Sequence, residues 1–183
     1  MINIKSKLAD TATGVVVLAA LLMGARGLLR RDSPATPPPL AETEEKELLS
    51  RAPRPLAVIT SEHGDSMLRF DKGVPTLVMI YRHDCPACQA TKETWRRLTT
   101  APAVQSGAAL ALTLDPPNIS GFFDEPGVVV YHVASSARLK GSFPSSFVPT
   151  TLVVRPDGRI AFAKIGVLSD DDLPKIHELF AKK

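Results

Sequence analysis

The sequence predicts an α/β domain, a mixed central β-sheet flanked by helices, preceded by an apolar helix and a spacer. Three observations carry this expectation. The run PTLVMIY at 75–81 is continuously apolar and β-branched, as in a strand buried on both faces. A helix-like stretch, ACQATKETWRRLTT at 87–100, follows it almost at once. Further strand-like runs come later, before an amphipathic stretch closes the chain. The 183 residues allow one domain plus attachments, and 44% hydrophobic with 22% charged residues is ordinary for such a domain. The net charge of +3 is modest and lies partly in basic flanks around the first apolar stretch. With no alternation of aromatic and basic residues, nucleic acid is not an expected partner.

In chain order, residues 1–10 are a short tail. Residues 11–29 read as a transmembrane signal anchor: Thr11–Ala25 is apolar and uncharged, and RGLL extends it. About 20 residues cross ~30 Å of hydrocarbon, provided Arg26 reaches toward the interface. The alternative is a cleaved signal peptide, since Lys5 and Lys7 precede the apolar run, but Met23 stands where a cleavage site wants a small residue. Lys5 and Lys7 at one end, against Arg26, Arg30 and Arg31 at the other, do not fix the orientation. The order basic, apolar, long polar remainder favours export. Residues 30–55 read as a linker: Pro34, Pro37, Pro38 and Pro39 favour extended polyproline geometry, and AETEEKELLSR adds a few helical turns, acidic toward the start.

The domain is expected at 56–183. PLAVIT begins it as a short strand, followed by a turn at Glu62-His63-Gly64-Asp65 and a second stretch around Met67–Phe70. After the strand at 75–81 comes the helix, with Ala90, Thr94, Trp95 and Leu98 near helical spacing and Glu93 four residues before Arg97. AALALTLD (108–115) and GVVVYHV (127–133) read as strands. Pro156-Asp157-Gly158 joins two more as a hairpin. In the final helix Ser169 and three aspartates favour the start, Leu173, Ile176 and Phe180 form an apolar face, and Lys182 and Lys183 favour the end.

The chain has two cysteines, Cys85 and Cys88, directly after the buried strand and at the start of the helix. Pro86 suits the first helical position. Cys85 then sits at or near the N-cap, where free amides and the helix dipole stabilise a thiolate and lower its pKa. The thiolate is what attacks disulfides. Cys88, one turn on, lies on the same face and is less exposed, as a resolving thiol would be. The alternative is a metal site made by His83, Cys85 and Cys88, with His132 as a conceivable fourth ligand. Structural zinc, however, wants four ligands, and a second cysteine pair is missing.

The order PTLVMIYRHDCPAC, helix, VPTTLVVRPDGRI resembles the thioredoxin superfamily, in particular its membrane-anchored, exported TlpA/ResA-like thiol-disulfide oxidoreductases. The resemblance covers roughly 56–183 and implies a thioredoxin-like fold with Cys85 and Cys88 as a redox-active disulfide pair. It further implies that Pro149 is a cis-proline facing the two sulfurs and that Val148 offers its backbone to an extended substrate. No cofactor is implied. The implied partners are client protein thiols and disulfides, a membrane thiol-reducing electron donor, and the membrane itself through the N-terminal helix. The implied setting is the bacterial inner membrane, single-pass, with the catalytic domain in the periplasm. A second class is a copper- or zinc-delivery protein on the same fold, using His83, Cys85 and Cys88. The sequence departs from the family in two places. Asp84 replaces the usual tryptophan before the first cysteine, where its charge opposes thiolate formation while Arg82 assists it. Met79 replaces the buried acid of thioredoxin, which leaves the acceptor of the Cys88 proton open between water, His83 and Asp84. Trp95 is expected in the helix core and His132 in a structural place.

Overall fold

The computed structural model describes residues 39–49, 51–60, 64–119, 121–143 and 147–181. The expected anchor, 11–29, and the first part of the linker lie outside these. Among the described residues no helix is long and apolar enough to cross a membrane.

The strands are β1 (Leu56–Thr60), β2 (Gly64–Leu68), β3 (Thr76–Tyr81), β4 (Ala108–Thr113), β5 (Val128–Val133), β6 (Thr150–Val154) and β7 (Ile160–Ile165). The helices are α1 (Pro39–Leu48), α2 (Pro86–Thr100), α3 (Pro102–Gln105), α4 (Ser136–Ser142) and α5 (Leu173–Ala181), the last entered through a 3-10 turn at Asp170–Asp172. They form one seven-stranded sheet in the order β2-β1-β5-β4-β3-β6-β7. β3, β4 and β5 run parallel, while β1, β6 and β7 are each antiparallel to the strand before them in that order or, for β1, to both neighbours. The mixed sheet flanked by helices is the expected architecture.

β3 is central and buried along its whole length. Successive strand side chains point to opposite faces, so this one run feeds two cores. Val78 and Ile80 pack with Leu48, Leu112, Leu139 and Leu152 on the α1/α4 face. Leu77, Met79 and Tyr81 pack with Cys88, Trp95, Ile176 and Phe180 on the α2/α5 face. The connection from β4 to β5 carries no helix among its described residues. Phe122 and Phe123 fill the space instead, Phe122 stacking on Tyr81 with centroids 4.4 Å apart and Phe123 lying 5.7 Å from Trp95. At the β6–β7 hairpin Gly158 takes φ 83°, a conformation that costs glycine little.

Several expectations need correction. Residues 39–55 are not a spacer outside the domain. Pro39 is the first residue of α1 rather than part of a polyproline stretch, a place where its missing N–H costs nothing. Ala41 and Leu48, seven residues apart on one stripe, are 2% and 1% exposed in the core. Glu45 Oε1 accepts the Ile165 amide at 2.7 Å, and the Ile160 amide donates to the Arg51 carbonyl at 2.8 Å, which covers the edge strand β7. Gly64 and Asp65, expected in a turn, begin β2 because the hairpin pairs Thr60 with Gly64. On α2, Ala90 is exposed and Thr91 is buried, since the stripe runs Cys88, Thr91, Trp95, Leu98. Glu93 pairs with Arg96 at 2.7 Å, and Arg97 instead reaches Asp170.

Candidate active site

β3 ends at Tyr81, the chain turns through Arg82–Asp84, and Cys85 caps α2 with φ −87° and ψ 114°. This extended geometry is what an N-cap requires. The Cys88 amide donates to Cys85 Sγ at 3.2 Å, and the Gln89 amide donates to the Cys85 carbonyl at 3.1 Å. Pro86 occupies the first helical position and takes away no bond. One orphan amide of a fifteen-residue helix is thus aimed at the sulfur, with the positive end of the helix dipole behind it.

Cys85 is partly exposed, whereas Cys88 is 0% exposed, and both are free thiols. Burial, then the hydrogen bond with Cys85, pushes the Cys88 thiol up to about 12, with the charge of Asp115 adding in the same direction. At neutral pH Cys88 is therefore a protonated thiol, held in reserve under Cys85.

The structure brings Val148 and Pro149 to the same place. Their peptide bond is cis, and the Cys85 thiol lies 3.9 Å from the Val148 carbonyl oxygen. Pro149 is buried, and its carbonyl accepts the Gly166 amide at 2.8 Å. Close by, the Leu168 amide donates to Thr91 Oγ1 at 2.7 Å. Those two bonds hold Val167, 47% exposed, next to the proline loop, while Phe147 at 48% exposure precedes it. Both large apolar side chains are thus about half exposed.

His83 is placed differently from a ligand. Its side chain is exposed, its amide donates to Asp115 Oδ2 at 2.6 Å, and its carbonyl accepts from Gln89 Nε2 at 2.9 Å. Among the described residues no group of three or more His, Cys, Asp or Glu is arranged to hold a metal ion. Asp84 and Arg82 pair with each other at 3.1 Å in solvent, so their opposed influences on the thiol partly cancel. Met79 and Trp95 lie in the core beside Cys88, and Trp95 Nε1 donates to Thr151 Oγ1 at 2.8 Å. His132 holds the Asp115 carbonyl at 3.0 Å through Nδ1. Sequence reasoning missed Asp115, although an acid at the carboxyl end of a parallel strand, where α/β folds place their sites, was a usable signal.

No family model matches the sequence, and no curated protein is significantly similar to it. Solved structures are. The thioredoxin domain of thiol-disulfide oxidoreductase BVU-2223 from Bacteroides vulgatus aligns at 17% identity over 72% of this chain and 96% of its own, with a TM-score of 0.54. A thio-disulfide isomerase from Thermus thermophilus aligns at 12% identity over 74% and 98%, TM-score 0.54. BsSco, a member of the Sco family of cytochrome c oxidase assembly proteins, aligns at 15% identity over 74% and 96%, TM-score 0.53. What these likenesses establish is the fold, and the chain is a thioredoxin-fold protein.

Proposed function

We propose that this protein is a thiol-disulfide oxidoreductase that works outside the cytoplasm from a membrane anchor and reduces disulfides of a client protein during its maturation. The observation that carries the redox reading is the stacking of three parts at one point: a helix-capping Cys85, a cis peptide whose carbonyl it touches, and a buried, protonated Cys88. The anchor reading rests on the hydropathy of residues 11–29.

The chemistry follows from the geometry. A client disulfide lies against the Val148 backbone and the apolar rim of Phe147 and Val167. Cys85, as thiolate, attacks one client sulfur, forming a mixed disulfide and releasing the other sulfur as a thiolate. Cys88 then gives up its proton and attacks Cys85 Sγ. The Cys85–Cys88 disulfide forms, the second client sulfur leaves as a thiolate, and protons restore both client thiols. Two electrons have passed from the dithiol to the client. Regeneration outside the cytoplasm needs an electron supply, so a membrane thiol-reducing donor is a required partner.

The test is the reduction potential of Cys85–Cys88 in the full-length protein, equilibrated with glutathione or dithiothreitol. A value near or below about −270 mV fits a reductase, and about −120 to −180 mV fits an oxidase or isomerase. Exchange with a model disulfide should fall at least about a thousandfold in Cys85→Ser, because the serine hydroxyl is not ionised at neutral pH. The absence of a reversible couple would sink the proposal.

A further inference from the structure

At the start of β7 lies a cavity of about 500 Å³, lined by Arg51 and Arg54 from the segment after α1, by Lys140, Gly141 and Ser142 from the last turn of α4, and by Ile160. Backbone contacts fix its frame. The Ile160 amide donates to the Arg51 carbonyl at 2.8 Å, and Ser142 Oγ donates to the Pro55 carbonyl at 3.4 Å. Ile165, at the other end of β7, pairs with Thr150 beside the cis-proline. Five strand steps, about 17 Å, therefore separate the cavity from the proline loop of the dithiol site.

Three of the lining residues are cations, and their charge is poorly matched. Arg51 lies 3.7 Å from Glu47 with both side chains more than half exposed, so that pair is screened by water. Among the described residues Arg54 and Lys140 have no ion pair. Lys140 is favoured in the last turn of α4 by the helix dipole. Arg54 stands on a non-helical segment, where no such benefit exists. Like charges gathered round one cavity repel each other, and an anion between them turns that repulsion into attraction. Gly141 points the same way. It lies inside α4, where glycine is less stable than alanine, and its φ is outside the left-handed region. A Cβ built on it meets no atom within 4 Å. Neither backbone nor packing demands glycine there; its missing side chain leaves room in the cavity wall beside Lys140.

We propose that this cavity binds a phosphate monoester or inorganic phosphate, held between Arg51, Arg54 and Lys140. The inference is independent of the redox reading of Cys85 and Cys88. A guanidinium presents paired N–H donors that match phosphate oxygens, and two such forks with an ammonium take up the three terminal oxygens of a monoester, where a carboxylate offers two. The group comes from a free phosphate compound or from a lipid with a terminal phosphate, and both offer the same oxygens to the three cations.

The experiment is titration calorimetry of the full-length protein in non-ionic detergent at low salt and about pH 7.5, where a monoester carries nearly two charges. The probes are inorganic phosphate, glycerol 3-phosphate and short-chain phosphatidic acid, with short-chain phosphatidylcholine as the control. The expected result is saturable binding with Kd of about 1 mM or tighter, weakened at least about tenfold in Arg54→Gln and in Lys140→Gln. Both side chains are exposed, so the urea midpoints of these variants should match wild type. Gly141→Glu, which sets a carboxylate in the cavity, should abolish binding; if it does not fold, Arg54→Glu brings the same charge at an exposed position. Binding of the soluble phosphates supports the inference with a free ligand. Binding of phosphatidic acid alone, lost in the same variants, supports it with a lipid. No probe bound more tightly than about 1 mM, or binding that the folded variants keep within about twofold, overturns it. Failure of the Cys85–Cys88 couple would overturn the functional reading and leave this inference standing.

Discussion

Under α1 and α4 the sheet is covered by a mainly aliphatic set, Leu48, Leu56, Val58, Val78, Ile80, Leu112, Leu139 and Leu152, with one aromatic pair, Phe70 and Phe143. Under α2 and α5 the same sheet meets Tyr81, Cys88, Trp95, Phe122 and Phe123. Buried polar atoms there are matched by directional bonds, Trp95 to Thr151 and Leu168 to Thr91. One face is held by volume and tolerates any apolar filling of similar shape. The other is held partly by hydrogen bonds, which fix angles as well as distances and leave a penalty wherever one is cut. The difference explains how a thiol can be kept buried and protonated on a surface that must also present a second thiol to clients.

The sharpest way to break this division is Leu48→Ala on the aliphatic face. Removing a side chain 1% exposed should cost about 2–5 kcal/mol in urea unfolding and leave the Cys85–Cys88 potential where it was. A potential that moved with stability would mean that the two faces are not independent. The pH dependence of stability sharpens the comparison from the other side. An ordinary cysteine thiol titrates at 9.0, and folded Cys88 near about 12, so the native state keeps a proton that the unfolded chain gives up. Its contribution is fully present below about pH 9 and is lost as pH rises toward about 12. Tyr81, moved by burial from 10.0 to about 12, adds a second loss in the upper part of that window. Urea midpoints of the reduced protein should fall through this range. Cys88→Ala should remove the part that begins near 9 and leave the tyrosine part. The smallest effect is expected for Thr151→Val, which leaves the Trp95 N–H without its acceptor at about 1–3 kcal/mol. Trp95 is the chain's only tryptophan, so its emission reports the change directly.

The contrast also separates what the sequence made legible from what it did not. β3 and the cysteine pair were readable because each is a local pattern, a continuous β-branched run and a helix start with proline at its first position, whereas the places of Val148 and Pro149 followed from the family resemblance. Asp115 was not readable, because its meaning arises only when β4 lies beside β3 and carries residue 115 to residue 83. Helical spacing points to Ala90, four residues before Thr94, whereas the buried stripe passes through its neighbour Thr91. The helix buries the threonine because its hydroxyl finds the Leu168 amide. For α1, the run AETEEKELLSR reads as a helical part of a linker outside the domain. Glu45 is drawn in by an edge-strand amide that lies far along the chain.

That last contact spans 120 residues. At about 5–20 residues per second, α1 leaves the ribosome some 6–24 s before the strand it covers has been made. With ten residues it is too short to hold helical shape alone in water. It therefore waits as open chain, and the earliest-made piece of the described domain is among the last to find its place. A chain interrupted before Ile160 has no seat for this clasp, and α1 is then left as an unsheltered amphipathic segment.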